Sequence, residues 1–180
     1  MKPLSVLLLA CLLTTALAAP AAAAPDLVIL VRHAERAAEP QGDPALTPAG
    51  EQRAQALAQA LAGLRVNAII TTQYRRTRDT AAPLAQATGV QPQVVGAGAG
   101  GAAAHVQAVA EAVRRQTGVV LVVGHSNTVT AVLAALGGPK LAELCETSFH
   151  HAFVLQPVAE PPRWAQFSYG EPSTAGVNCL

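Results

Sequence analysis

Two apolar, β-branched runs in this chain each end in a histidine. Leu27-Val28-Ile29-Leu30-Val31 leads into Arg32-His33, and Val119-Val120-Leu121-Val122-Val123 leads through Gly124 into His125. Continuous runs of this length, bounded by polar residues and glycine, predict strands buried on both faces, as in a parallel sheet. Open α/β sheets bind ligands outside the carboxyl ends of such strands, so both imidazoles are expected to face one crevice.

The stretches around these runs alternate in the same way. Thr47-Pro48 supplies an N-cap followed by proline at the first helical position, Leu57, Leu61 and Leu64 recur at helical spacing, and Gly63 supplies a C-terminal stop near Asn67. Residues 68–71 form a second strand. A helix is expected over 74–88, with Pro83 its one awkward residue and Gly89 its end, then a short strand over 93–95. Further helices are expected over 102–117 and 127–136, with strands over 119–123 and 148–155 and an edge strand over 164–169. This order predicts an α/β fold, a three-layer α/β/α sandwich with a mostly parallel central sheet and right-handed crossovers.

Residues 1–24 combine a basic start with an apolar stretch and small residues at suitable cleavage positions, the pattern of a secretory signal peptide cut between Ala18 and Ala24. A retained membrane anchor fits less well, because the Ala and Pro after Leu17 are weak spanning material. Leu8-Leu9-Ala10-Cys11 resembles a lipobox, but the apolar run continues past the cysteine. The expected product is therefore exported, periplasmic or extracellular, without stable membrane insertion, and residues 25–180 form one domain. Net charge is +1 and basic runs are absent, so a nucleic-acid surface is not indicated and small ligands are the expected partners. In an oxidising compartment Cys145 and Cys179 could join; two free thiols are the alternative.

Residues 71–81, Thr-Thr-Gln-Tyr-Arg-Arg-Thr-Arg-Asp-Thr-Ala, leave the second strand and enter a helix, so they too open on the crevice. Arg32, His33, an arginine of the 75–78 group and His125 then surround one point. Guanidinium groups match phosphate oxygens through paired hydrogen bonds, and helix N-termini add backbone donors. The glycine-rich segment 96–101 is not a phosphate-binding loop, since no Gly-Lys-Ser/Thr follows it. Arg75 and Arg78 lie on another face of the helix and are expected to be solvated or to support the pocket rim. Ser126 and Asn127 start a helix, where they cap it, orient His125 or meet phosphate. Adjacent strand positions 150 and 151 are expected to send their imidazoles to opposite faces and not to share a metal ion.

These residues resemble the histidine phosphatase superfamily, the group that includes phosphoglycerate mutases and many phosphatases. Its Arg-His-Gly motif appears as Arg32-His33-Ala34, its middle motif as Tyr74-Arg75-Arg76-Thr77-Arg78-Asp79-Thr80-Ala81, and its last histidine within Gly124-His125-Ser126-Asn127-Thr128. Leu46-Thr47-Pro48-Ala49-Gly50 with Arg53 and Leu57 resembles the family's first helix. The resemblance implies a phosphoglycerate mutase-like fold and phosphatase activity on small phosphorylated substrates, with neither metal nor other cofactor. His33 would be the nucleophile forming a phosphohistidine, with Arg32, Arg76 and His125 on the phosphate oxygens, Ser126 and Asn127 beside them, and a cluster of cations holding His33 unprotonated.

Two departures stand out. Ala34 replaces the usual glycine, and residues 89–107 hold no Asp or Glu, although the family commonly draws its general acid from that loop. Glu35 is the candidate acid, with His105 behind it; without an acid, phosphohistidine or phosphoanhydrides would be the favoured substrates. Two other readings are open: a secreted phosphate-ligand binding module with weak turnover, and a serine hydrolase using Ser126. The second lacks the final glycine of a nucleophile elbow, no Asp follows the serine, the only acids before His150 are Glu143 and Glu146, and too little chain remains to build the usual partner order.

Overall fold

The computed structural model describes residues 24–98, 100–173 and 179–180. The expected leader, with Cys11 and the cleavage region, lies outside the described residues apart from Ala24. The elements are β1 (Pro25–Arg32), α1 (Pro48–Ala60), β2 (Val66–Thr71), α2 (Arg75–Thr88), β3 (Gln93–Val94), α3 (Gly101–Arg114), β4 (Gly118–Gly124), α4 (Val129–Ala135), β5 (His151–Gln156) and β6 (Arg163–Ser168). One six-stranded sheet runs in the order β3-β2-β4-β1-β5-β6. The first four strands are parallel, β5 is antiparallel to β1, and β6 is antiparallel to β5.

The apolar runs are continuous because both faces of the sheet are covered. Val28 and Leu30 of β1, with Val120 and Val122 of β4, face α3 and α4 through Val106, Val109, Val113 and Leu133. Their alternates, Ile29, Val31, Leu121 and Val123, face α1 and α2 through Leu57, Leu61, Ala81 and Leu84. The expected three-layer sandwich is thus present. Each fully buried branched side chain contributes roughly 1.5–3 kcal/mol of transfer free energy.

Local signals operate as read. The Thr47 hydroxyl accepts a hydrogen bond from the Gly50 N–H at 3.1 Å, with Pro48 at the first helical position of α1. Gly89 ends α2 with φ 73°, a left-handed cap. Several boundaries differ from expectation: β2 begins at Val66, not 68, and α3 ends at Arg114, not 117. A turn over 126–128 delays α4 to Val129, and β5 begins at His151, not 148, because the Ser148 carbonyl is drawn to Arg32. Since His150 precedes the strand, alternation does not separate it from His151; the two rings lie 4.1 Å apart, each half-buried.

Cys145 and Cys179 form a disulfide. The tail it tethers also pairs through its backbone. The Cys145 N–H donates to the Leu180 carbonyl at 2.7 Å and the Leu180 N–H to the Glu143 carbonyl at 3.0 Å. No helix among the described residues is long and apolar enough to cross a membrane.

Candidate active site

Strand register brings the two histidines together. Arg32 of β1 pairs with Gly124 of β4, so His33 and His125 are each the first residue past a matched position. The His33 N–H donates to the Gly124 carbonyl at 2.9 Å, and the two imidazole centroids lie 5.4 Å apart. His33 Nδ1 is 2.8 Å from the Ala34 carbonyl, which can only accept. Nδ1 therefore carries the proton, and Nε2 keeps its lone pair.

The departure at Ala34 is absorbed without strain. Its methyl packs with Leu46 and Ala54, and its N–H donates to Thr80 Oγ1 at 2.9 Å. His125 Nε2 lies 3.2 Å from Thr72 Oγ1, and its backbone N–H donates to Thr128 Oγ1. Arg76, in the first turn of α2, places its guanidinium 4.1 Å over the Tyr74 ring, and that ring meets His125 edge-on at 5.6 Å. Arg75 is exposed and weakly paired with Asp79.

A cavity of about 440 Å³ opens above these groups. His33, Arg76 and His125 line it, with Ser126 and Asn127, Arg36, Tyr74, His105, Glu143 and Glu146. His105 is buried on α3, with Nδ1 3.1 Å from the Gly96 carbonyl and its ring against the cavity.

Arg32 is buried beside His33, but its guanidinium is already engaged. One terminal nitrogen donates to the carbonyls of Cys145 at 2.6 Å and Ser148 at 3.2 Å, and the other meets Glu146 Oε2 at 2.6 Å. The guanidinium also stacks 4.2 Å from the Phe149 ring, while Nε has no partner among the described residues. Ser126 donates its hydroxyl to the other oxygen of Glu146 and not to an imidazole, so the serine–histidine pair that a serine hydrolase needs is absent there.

Glu35 does not reach the cavity. Its carboxylate is held by Arg53, which reaches it with Nε at 2.9 and 3.0 Å and with a terminal nitrogen at 2.7 Å. Arg53 is itself buried, donating to the carbonyls of Tyr169 and Glu171. The reading of Glu35 as an acid is thereby corrected to a structural one: its carboxylate is taken up by the Arg53 guanidinium and lies outside the cavity that His33 lines.

Burial, more than the surrounding cations, sets the protonation of the histidines. It lowers His33 to about 3, with the charges of Arg32, His125 and Arg76 adding to the effect and the Ala34 carbonyl opposing it. Burial likewise lowers His125 to about 4, helped by Arg76, His105 and Arg32. For Glu146, burial pushes the carboxyl up. The Ser126 hydrogen bond and the Arg32 charge outweigh it, and the net displacement is downward.

Reading the sequence alone missed Glu146, Arg36 and Tyr74 as cavity residues. Tyr74 precedes Arg76 in the same motif, so its signal was available. Glu146 had only an indirect one: an antiparallel strand starts at the sheet edge where the parallel strands end, so the loop before β5 had to border the crevice.

Residues 28–97 match the family model of the histidine phosphatase superfamily, branch 1. No curated protein matches the chain. Among solved structures, the protein histidine phosphatase SixA bound to tungstate superposes with a TM-score of 0.61 at 16% identity, covering 79% of this chain and 96% of that one. The mycobacterial glucosyl-3-phosphoglycerate phosphatase Rv2419c bound to inorganic phosphate gives 0.55 at 19% identity, over 82% and 98%. A Nakamurella multipartitia protein, provisionally described as the phosphohistidine phosphatase SixA, gives 0.54 at 26% identity, over 81% and 95%. The matched segment contains Arg32, His33 and Arg76, and His125 completes the pocket from β4: residues 28–97 match the histidine phosphatase superfamily, and the chain shares the fold of these solved phosphatases.

Proposed function

We propose that this protein is an exported, metal-independent phosphatase that passes a phosphoryl group from a small phosphorylated substrate to His33 and then to water. The observation that carries this reading is the state of His33: buried, proton held on Nδ1 by the Ala34 carbonyl, and pKa lowered to about 3, so Nε2 is a free nucleophile at neutral pH. In the first step Nε2 forms the bond to phosphorus as the bond to the leaving oxygen or nitrogen breaks. Water then attacks the phosphohistidine, the N–P bond breaks, and phosphate leaves with neutral His33 restored.

Arg76 and His125 border the same cavity and supply charge and hydrogen bonds to the phosphoryl oxygens, with Arg32 behind them and Ser126 and Asn127 at its edge. Side-chain cations thus take the place that a metal holds in other phosphoryl-transfer sites. With Glu35 held by Arg53, substrates with good leaving groups fit the pocket best: phosphohistidine, phosphoanhydrides and aryl phosphates. SixA and Rv2419c, similar in fold, are phosphatases by their descriptions, which supports the same class of reaction here. Export is supported by the disulfide, which persists in oxidising compartments.

The test is phosphate release from an aryl phosphate by the leader-less protein in EDTA, compared with His33→Ala. Loss on the order of a thousandfold or more is expected. Turnover that survives the substitution overturns the mechanism. Phosphate binding without turnover in either protein points to the binding-module reading instead.

A further inference from the structure

The phosphoryl pocket contains an anion of its own. Glu146 reaches Arg32 at 2.6 Å and takes the Ser126 hydroxyl with its other oxygen, so its carboxylate bridges the end of β1 and the turn after β4, beside the nucleophile. Arg32 is 2% exposed and two of its donor directions are spent on the Cys145 and Ser148 carbonyls. What remains for a ligand is the edge formed by Nε and the second terminal nitrogen, the edge that binds oxyanions in a paired fashion. There Nε is unsatisfied and the terminal nitrogen is held by Glu146.

We propose that Glu146 is an internal counter-anion that the substrate phosphoryl group must displace from Arg32, and that it thereby sets the affinity and selectivity of the pocket. The inference rests on the phosphatase reading of the same site. A phosphoryl group arriving on Arg32 gives Nε the partner it lacks and takes the terminal nitrogen from the carboxylate. The Glu146 side chain is 74% exposed, so it can swing into solvent without rebuilding the core. Its backbone stays in place, because the neighbouring Cys145 is bonded to Cys179 and paired with Leu180. Ligands that cannot satisfy both the free Nε and the vacated nitrogen fail to displace it; a tetrahedral oxyanion satisfies both. The carboxylate thus discriminates against singly coordinating anions and keeps the free pocket neutralised.

The experiment is calorimetric binding of inorganic phosphate to the wild type, Glu146→Gln and Ser126→Ala, with chloride as a singly coordinating anion. Glu146→Gln should tighten phosphate binding about tenfold, the equivalent of one charge-assisted hydrogen bond freed for the ligand. The preference for phosphate over chloride should narrow. Ser126→Ala frees one carboxylate oxygen without altering charge and should tighten phosphate binding by a smaller factor. It also serves where Glu146→Gln does not fold. Unchanged or weaker phosphate binding in the variants overturns the proposal. So does a fall in kcat confined to substrates with poor leaving groups, which would make Glu146 a proton donor. Turnover by His33→Ala tests the phosphatase reading separately, since phosphate binding does not require the nucleophile.

Discussion

At the scale of single residues, the site depends on imidazoles kept neutral by burial. An unfolded histidine titrates near 6.5, whereas His33 and His125 are lowered to about 3 and about 4. Between those values the unfolded chain binds protons that the folded chain refuses. Stability held above pH 6.5 is therefore lost as pH falls through 6.5 toward 4. Imidazole NMR signals of both residues should stay unprotonated from pH 8 down to 5, while the melting temperature declines below 6.5. A titration of His33 near 6.5 would contradict this. The chemistry-bearing residues legible in the sequence, His33, Arg76 and His125, are those at strand ends and helix starts, where local pattern fixes position. Glu35 was misread because its partner, Arg53, lies on α1, and spacing alone does not reveal which carboxylate a guanidinium will claim. Glu146 was missed for the same reason: its tie to Arg32 joins residues far apart in sequence.

At the scale of elements, the approach of α1 to the loop after β1 leaves no spare volume. A Cβ on Gly50 would stand 2.1 Å from the Glu35 carbonyl oxygen, a backbone atom with no rotamer in which to retreat. Gly50→Ala is expected to destabilise the fold by about 1–3 kcal/mol, the usual range for overpacking, measured by urea denaturation. Retained stability would show that the loop yields. The start of α1 and the end of α2 were readable because caps are local chemistry: Thr47, Pro48 and Gly89 act where they stand. The start of β5 was not, since it is decided by Arg32 drawing the Ser148 carbonyl out of the ladder, a contact from the opposite end of the chain.

At the scale of the whole molecule, the disulfide fastens the tail to the loop that holds Arg32. The crosslink spans 34 residues, for which loop-closure entropy gives a contribution of about 3–4 kcal/mol. Reduction, or Cys179→Ser, should lower stability by that order in chemical denaturation. It should also raise the KM for an aryl phosphate, because the Cys145 carbonyl that holds Arg32 loses its anchor; an unchanged KM would separate the tail from the pocket. The alternation of strands and helices made the sandwich legible, and burial on both faces made the runs continuous. Strand order was not legible, and it has a consequence for synthesis. β1 is made first, yet it lies between β4 and β5, which begin at Gly118 and His151. A growing chain thus carries β1 unpaired until β4 ends at Gly124, and with one edge open until β5 follows, so stalled nascent chains should resist protease only once β5 is out. Such late closure leaves the polypeptide threadable, able to pass through a narrow conduit before it becomes an enzyme.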